Sequence, residues 1–289
     1  MKKIAVIGAT GLLGKPVTIA LANAGFEVTA LVRDTVTARK TFSKKVTIFP
    51  GDMRSDSDLK KFVQGHDKIY LSLSVKQAEK KTDWHAESDG IRTLLPIAKA
   101  AGINRIFYLS SLIQRYHGMN GFNWWVMNLK TDAIKMIRSS GIPSTMFYPS
   151  TFMEAITTQY MHGNRLLIAG KSKYKQHFIA ASDFASQVVK AVETNTGNDD
   201  KDYVIQGTDG YLTDEALKIF KENYTKSKLS ISSAPFSLIQ LFGKVNQKMN
   251  YGSHIINALN NYPEKFEAEQ TWAELGKPQV TLKQFASTI

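Results

Sequence analysis

Gly8-Ala9-Thr10-Gly11-Leu12-Leu13-Gly14 stands between a short apolar run, Ile4-Ala5-Val6-Ile7, and a stretch of helical character, and its reading decides the fold. Gly8 allows a sharp turn, Gly11 lets backbone N–H groups approach a pyrophosphate, and Gly14 permits close packing of helix on strand. The helix start beyond it offers unpaired N–H donors and the positive end of a dipole, both suited to phosphate. The spacing is GxxGxxG, which differs from the GxGxxG of the older dinucleotide fingerprint. Its place in the first strand–turn–helix of an alternating chain supports the same reading.

Outward from that turn, short apolar runs alternate with helix-length segments, the pattern of a parallel sheet joined by crossover helices. Strands are predicted at 3–7, 27–32, 46–49, 68–72, 105–109 and 144–148, with a seventh at 203–206. Runs this continuously apolar belong where both sheet faces are covered. Helices are predicted at 84–101 and 123–139, each followed by a glycine, Gly102 and Gly141, the residue favoured just past a helix end. Beyond Tyr148 the character changes. Residues 149–175 read as loops and short elements and 183–193 as a helix. Thr213 is expected to cap a helix running to about Tyr224, and Thr281-Leu282-Lys283-Gln284 has the form of a capping box. The expected architecture is α/β, a doubly wound parallel sheet of Rossmann type with a smaller, mainly helical C-terminal lobe. Residues 1–155 are expected to bind the dinucleotide and 156–289 to cover the substrate, while a strand near 201–207 returns to the sheet.

Composition narrows the function. Hydrophobic residues make up 43% and charged residues 21% of the 289, a globular balance that argues against a disordered chain. The sequence has no cysteine, which excludes disulfides, thiolate metal sites, iron–sulfur clusters and a cysteine nucleophile. It shows no paired carboxylates at hydrolase spacing, no nucleophile elbow and no metal-ligand cluster. The formal charge is +12, but the bases are spread along the chain without a recognition-helix or stacking motif, so nucleic acid is not an expected partner. No apolar run reaches the ~18–20 residues that span a bilayer. Met1-Lys2-Lys3 imitates the start of a secretory signal, but glycines interrupt the apolar run and Lys15-Pro16 stands where cleavage would fall. A cytoplasmic location without a membrane partner is the expectation.

The end of the second strand separates the two nicotinamide cofactors. An NAD site usually carries an acid there, accepting bonds from the ribose hydroxyls. Here the strand ends Ala30-Leu31-Val32-Arg33, with Asp34 one step later. Arg33 offers a fork of charged donors to a 2′-phosphate and a plane to stack on adenine, and Lys15, Arg39 and Lys40 can add positive charge. Asp34 points away if the strand continues, though a turn could return it. NADP(H) is therefore expected ahead of NAD(H). Asp52, in Gly51-Asp52-Met53, reads either as an acceptor for the adenine amino group or as a turn aspartate. The expected cofactor contacts are Gly8, Thr10, Gly11, Leu12, Leu13, Gly14, Arg33, Asp52, Met53 and Leu73.

The glycine turn, Leu31-Val32-Arg33, Gly51-Asp52 and Tyr108-Leu109-Ser110-Ser111 together resemble the NmrA-like branch of the atypical short-chain dehydrogenase/reductase superfamily. Lys130 on a helix, Ser140-Gly141-Ile142-Pro143, Tyr148-Pro149-Ser150-Thr151-Phe152-Met153-Glu154 and Thr271-Trp272-Ala273-Glu274-Leu275-Gly276-Lys277-Pro278 agree with it. The resemblance covers most of the chain and is strongest over 4–155. It implies an open parallel sheet, bound NADP(H) and a small lobe above the cofactor. The branch includes reductases, epimerase relatives and non-catalytic redox sensors, so fold is implied more narrowly than reaction.

Short-chain dehydrogenases commonly carry Tyr-x-x-x-Lys, in which the ammonium lowers the tyrosine pKa across one helix turn. The lysine matches Lys130, whose family role is to hold the nicotinamide ribose, but Val126 stands where the tyrosine is needed. Ser110 matches the family serine and reads either as a carbonyl polariser or as a strand-end hydroxyl. Tyr116, in the loop after the fifth strand, and Tyr148, at the end of the sixth, are the candidate proton donors, with Tyr148 also a cofactor contact. His85 opens the helix after the fourth strand and His117 neighbours Tyr116; a lone histidine of this kind is usually solvated, so neither is a leading acid or base. Trp124, Trp125, Met127, Phe147, Tyr148, Phe152 and Met153 are the expected lining of an apolar substrate space. Two functions follow: an NADPH-dependent reductase of a small carbonyl, quinone or conjugated substrate, or an NADP(H) sensor acting through a regulatory protein partner.

Overall fold

A computed structural model describes residues 3–289. Six strands appear in the first half: β1 (Lys3–Ile7), β2 (Glu27–Val32), β3 (Val46–Pro50), β4 (Lys68–Leu71), β5 (Arg105–Leu109) and β6 (Ser144–Pro149). The short strands β7 (Met161–His162), β8 (Arg165–Ala169) and β9 (Gln176–His177) follow, and β10 (Lys201–Ile205) then returns to the sheet. The sheet order is β10-β6-β5-β4-β1-β2-β3, with every pair parallel. Successive connections run outward from β1 in both directions. The carboxyl ends of β1 and β4 therefore flank the point of reversal where ligands bind in open α/β sheets.

Apolar residues alternate between two covered faces. Ile4, Val6, Val28, Phe107 and Phe147 meet α1 (Gly14–Asn23) through Val17 and Leu21, and the later helix 181–194 through Phe184 and Val188. The short α2 (Thr35–Thr41) follows β2. On the other face Ala5, Ile7, Ile69, Leu71, Ile106, Tyr108 and Met146 pack against α3 (Asp56–Val63), α4 (Ile91–Ala100) and α5 (Trp125–Ser139). At the amino end of the sheet, the buried Arg105 guanidinium donates to the carbonyls of Ser144 (3.1 Å), Gly197 (2.6 Å) and Asp199 (2.8 Å), tying β5 to the turn that leads into β10.

The structure corrects the helix expected at 84–101. Trp84 and His85 precede a wide π-type turn over 86–90, and α4 begins only at Ile91. The His85 carbonyl accepts from the amides of Ser88, Asp89 and Gly90, while the Asp89 carboxylate accepts from the His85 amide at 2.9 Å. This turn directs Glu87 into the interior.

The C-terminal region is mainly helical. After α6 (Ala181–Thr194) and β10 come β11 (Gly210–Tyr211), α7 (Thr213–Asn223), β12 (Ser230–Ala234), α8 (Phe236–Gly243), α9 (Gln247–Asn261), α10 (Glu269–Leu275) and α11 (Leu282–Thr288). Strand β8 pairs with β7 and β12, and Leu166, Phe220, Leu229 and Phe285 share a second core. Thr213 does not cap α7. It is the first helical residue, and Glu215 instead accepts from the Leu212 amide at 2.9 Å. The box at Thr281 and Gln284 forms as expected. Tyr251 and Ile255 of α9 and the following Tyr262 pack among Tyr116, Phe122 and Trp124.

Candidate cofactor and active site

The glycine turn is held by the chain at two of its glycines and left open at the third. A Cβ on Gly8, whose φ is +84°, would fall 2.0 Å from the Ser72 carbonyl oxygen beyond β4. One on Gly14 would fall 2.0 Å from the Gly8 carbonyl oxygen. A Cβ on Gly11 meets only the Gly8 oxygen, at 3.3 Å, so there it is the space for a ligand that favours glycine. Leu13 at the N-cap of α1 provides no side-chain cap, and the first turn carries no acid, which leaves the helix start available to an anion.

A cleft of about 270 Å³ opens beside this turn. Of the expected contacts, Gly8, Thr10, Gly11, Arg33, Asp52, Met53 and Leu73 line it. Leu12 is exposed outside the lining, and Leu13 and Gly14 enter the start of α1. Arg54, Lys76, Glu79 and Trp84 also line the cleft, and sequence reasoning missed them as a group. The Arg54 guanidinium lies 4.9 Å from the Trp84 ring centroid. Their signal was positional: a base and an aromatic in the loops beyond the carboxyl ends of β3 and β4.

Asp34 turns back at the end of β2 to cap the following helix. Its carboxylate accepts from the Thr37 hydroxyl at 2.6 Å and the Thr37 amide at 3.0 Å, capping α2, and these bonds hold its pKa below the usual value. Arg33 is exposed and has no ion-pair partner among the described residues. One oxygen of Asp52 accepts from the Arg54 amide at 3.0 Å, so this residue both closes a turn and faces the cleft. An uncommitted guanidinium, a withdrawn acid and an uncapped helix start fit the phosphates of NADP(H).

Deeper in the molecule, Lys130 is a buried ammonium. Its Nζ donates to Glu87 Oε1 at 2.6 Å, and Tyr108 Oη donates to the same oxygen at 3.0 Å. Burial, reinforced by the Glu87 charge, raises the Tyr108 phenol well above its ordinary value. Glu87 Oε2 is buried without a hydrogen-bond partner, and so are both ring nitrogens of His85. His85 corrects the expectation of a solvated side chain: it is buried, 3.4 Å from Glu79 and 5.0 Å from the Trp125 ring. Orphaned polar atoms of this kind suit a bound polar ligand. Sequence reasoning passed over Glu87 although its spacing to the buried Ile91, Leu94 and Ala98 is helical, because a lone carboxylate shows its partner only in the fold.

The remaining candidates are held in different ways. Ser110 is buried and its hydroxyl bonds Gln114 at 3.2 Å, which in turn donates to Thr131 on α5 at 3.0 Å. Tyr148 packs on the α4/α5 face of the sheet, with the Arg115 guanidinium 5.6 Å from its ring. Burial and the nearby Asp202 carboxylate push its phenol up to about 12. Tyr116 is buried against Phe122 at 4.8 Å and Tyr262 at 5.9 Å, in an aromatic cluster. The aromatics expected to line one substrate space are distributed instead. Trp124 and Met127 belong to this cluster, Phe147 and Phe152 to the α1/α6 core, and Met153 to the core around β8.

The NmrA-like family profile matches residues 1–283. The chain belongs to that family. Among curated relatives, photosystem II assembly factor Ycf39 of Guillardia theta is 26% identical over 248 residues, covering 82% of this chain and 74% of that one. A nucleoside-diphosphate-sugar epimerase from Staphylococcus aureus superposes with a TM-score of 0.77 at 19% identity, covering 99% of this chain and 100% of that one. An NADPH-dependent quinone oxidoreductase from Escherichia coli, complexed with NADPH, gives 0.72 at 21% identity and 99% coverage of both chains. At such identities the structural likeness establishes the fold.

Proposed function

We propose that this protein is an NADPH-dependent reductase of a small carbonyl, quinone or conjugated substrate. The observation that carries the cofactor choice is the exposed, unpaired Arg33 beside an Asp34 committed to capping α2. The E. coli relative in fold is named for the same cofactor and for quinone reduction. When bound, NADPH supplies the hydride. In this reading the helix start at Leu13 and the Gly11 backbone hold the pyrophosphate, Arg33 holds the 2′-phosphate, and residues beyond 156 cover the substrate end. Lys130 holds the nicotinamide ribose, its charge balanced by Glu87, which Tyr108 anchors from the sheet. Lys130 is also the proton source for the reduced oxygen, since Val126 cannot serve, Tyr116 is packed away and burial holds the Tyr148 phenol up at about 12. The test is single-turnover oxidation of NADPH with a panel of quinones and enones. Lys130→Ala is expected to lower the rate ~10²-fold, the scale of lost positioning, with little change in NADPH affinity.

A second reading is a non-catalytic NADP(H) sensor acting through a protein partner. The packing of Trp124, Tyr251 and Tyr262 at the start of α5 favours it, because aromatic side chains fill space that a substrate would need. Tight NADPH binding without turnover on any member of the panel, together with cofactor-dependent capture of a partner, would select this reading.

A further inference from the structure

Among the large apolar residues exposed within 3–289, Leu238, Leu241, Phe242 and Val245 stand together, at 46%, 58%, 52% and 86% exposure. Their spacing is i, i+3, i+4, i+7, which is one face of a helix. Helix α8 carries the first three, and the turn closed by the Val245 amide on the Phe242 carbonyl, at 3.2 Å, carries the fourth. Behind this face α8 packs closely on α9, where a Cβ on Gly243 would come within 3.2 Å of Asn250 Cα. The helix therefore has a contact with the protein on one side and an uncovered apolar stripe on the other. A contiguous stripe of this kind marks a contact surface.

Charge identifies what it contacts. Residues 223–263 contain no aspartate or glutamate, whereas Lys226, Lys228, Lys244 and Lys248 are all exposed. A second copy seated face to face would bring the same cations together, and like charges opposed across an interface are repulsive. An anionic lipid surface suits both features, with its acyl boundary receiving the stripe and its phosphates the lysines. We propose that α8 is an interfacial docking helix that seats the protein on an anionic lipid surface. No described helix is long and apolar enough to cross a membrane, and the expectation of no membrane partner rested on that criterion, which a helix lying in the interface does not have to meet. The docking helix is joined through Lys244-Val245-Asn246 to α9, whose Tyr251 ring meets Trp124 at 4.9 Å. The surface contact would thus sit one helix away from the aromatic cluster at the start of α5. It does not depend on whether the chain turns over a substrate.

The test is flotation of the full chain with vesicles of equal parts phosphatidylglycerol and phosphatidylcholine, against vesicles of phosphatidylcholine alone. The protein should float with the anionic vesicles and not with the neutral ones, and high salt should reduce the association about tenfold, as expected when charges are screened. Leu241→Ser combined with Phe242→Ser should weaken association at least about tenfold, since two large apolar side chains lose their burial. Lys244→Glu combined with Lys248→Glu should remove the preference for anionic lipid. All these positions are exposed, and an unchanged thermal melt will show that the fold persists. Wild-type protein that stays with the buffer, or a serine variant that floats as well as wild type, would overturn the proposal. So would a concentration-dependent dimer in light scattering that the serine substitutions abolish while no vesicle binding occurs, which would assign the stripe to a second copy.

Discussion

Arg33 stands exposed in the lining of the glycine-turn cleft with no ion pair among the described residues, whereas Lys130, outside that lining, is buried and bonded to Glu87 at 2.6 Å. Both are cations proposed to hold the cofactor, yet their energetics are opposite. An exposed guanidinium is already solvated, so it adds little to folding and is free to meet a ligand phosphate. A buried ammonium has lost its water and needs its carboxylate to remain tolerable. Ligand affinity is thus expected to reside mainly at the outer end, and folding stability at the inner end.

The largest effect should come from splitting the inner pair. Glu87→Ala leaves the Lys130 ammonium buried beside a cavity, and urea denaturation should show a loss of about 3–5 kcal/mol. Combining Glu87→Gln with Lys130→Met should restore most of it. A single substitution costing under about 1 kcal/mol would remove the contrast between the two ends.

Substitutions within the glycine turn should divide the same way. Gly11→Val should abolish NADPH binding in a fluorescence titration and leave the melting temperature nearly unchanged. Gly8→Val should lower the melting temperature, because its Cβ is blocked by the Ser72 carbonyl. Equal thermal losses in both variants would mean that Gly11 is needed by the chain and not by a ligand.

At the outer end, Arg33→Ala should weaken NADPH binding by about 1.5–3 kcal/mol, the range for a charge-assisted hydrogen bond, and barely alter NADH. That corresponds to a rise in Kd of roughly tenfold or more. Equal losses for the two cofactors would place the 2′-phosphate elsewhere. Asp34→Ala should have the smallest effect, a slight loosening of α2. A marked fall in NADH affinity in that variant would return Asp34 to the ribose.

Alkaline pH probes the buried phenols. Burial pushes Tyr148, Tyr160, Tyr203, Tyr251 and Tyr262 each up to about 12. Unfolded tyrosines release their protons near 10, so between about 10 and 12 the folded chain binds more protons than the unfolded one. Stability should therefore decline as pH rises through that window. Tyrosinate absorbance should appear together with loss of the fold; absorbance from these phenols well before unfolding would show them to be accessible.

The sheet and the glycine turn were legible because both depend on local chemistry. Ile4 to Ile7 reads as a strand covered on both faces, Gly8 turns with a φ of +84°, and Gly14 packs on the Gly8 carbonyl six residues back. Arg33 was legible for the same reason, since it directly follows β2. Glu87 was not. Its spacing to the buried Ile91, Leu94 and Ala98 follows the helical period, but the groups that make a buried carboxylate tolerable, Lys130 and Tyr108, lie on distant segments. Nor could the sequence show that Tyr251 and Tyr262, more than a hundred residues beyond Trp124, would pack beside it. Contacts between distant segments leave no mark on local pattern.

The late return of β10 bears on how this chain can be made and cut. While a ribosome is still short of residue 205, β6 is an open sheet edge with unpaired backbone groups, the kind of surface that invites pairing between chains. Over the same interval Arg105 lacks the Gly197 and Asp199 carbonyls that receive its guanidinium. A fragment ending near residue 155 would carry both faults permanently and should aggregate during expression, although it contains the whole glycine turn. Extending the fragment past Ile205 would close the edge and supply the missing acceptors.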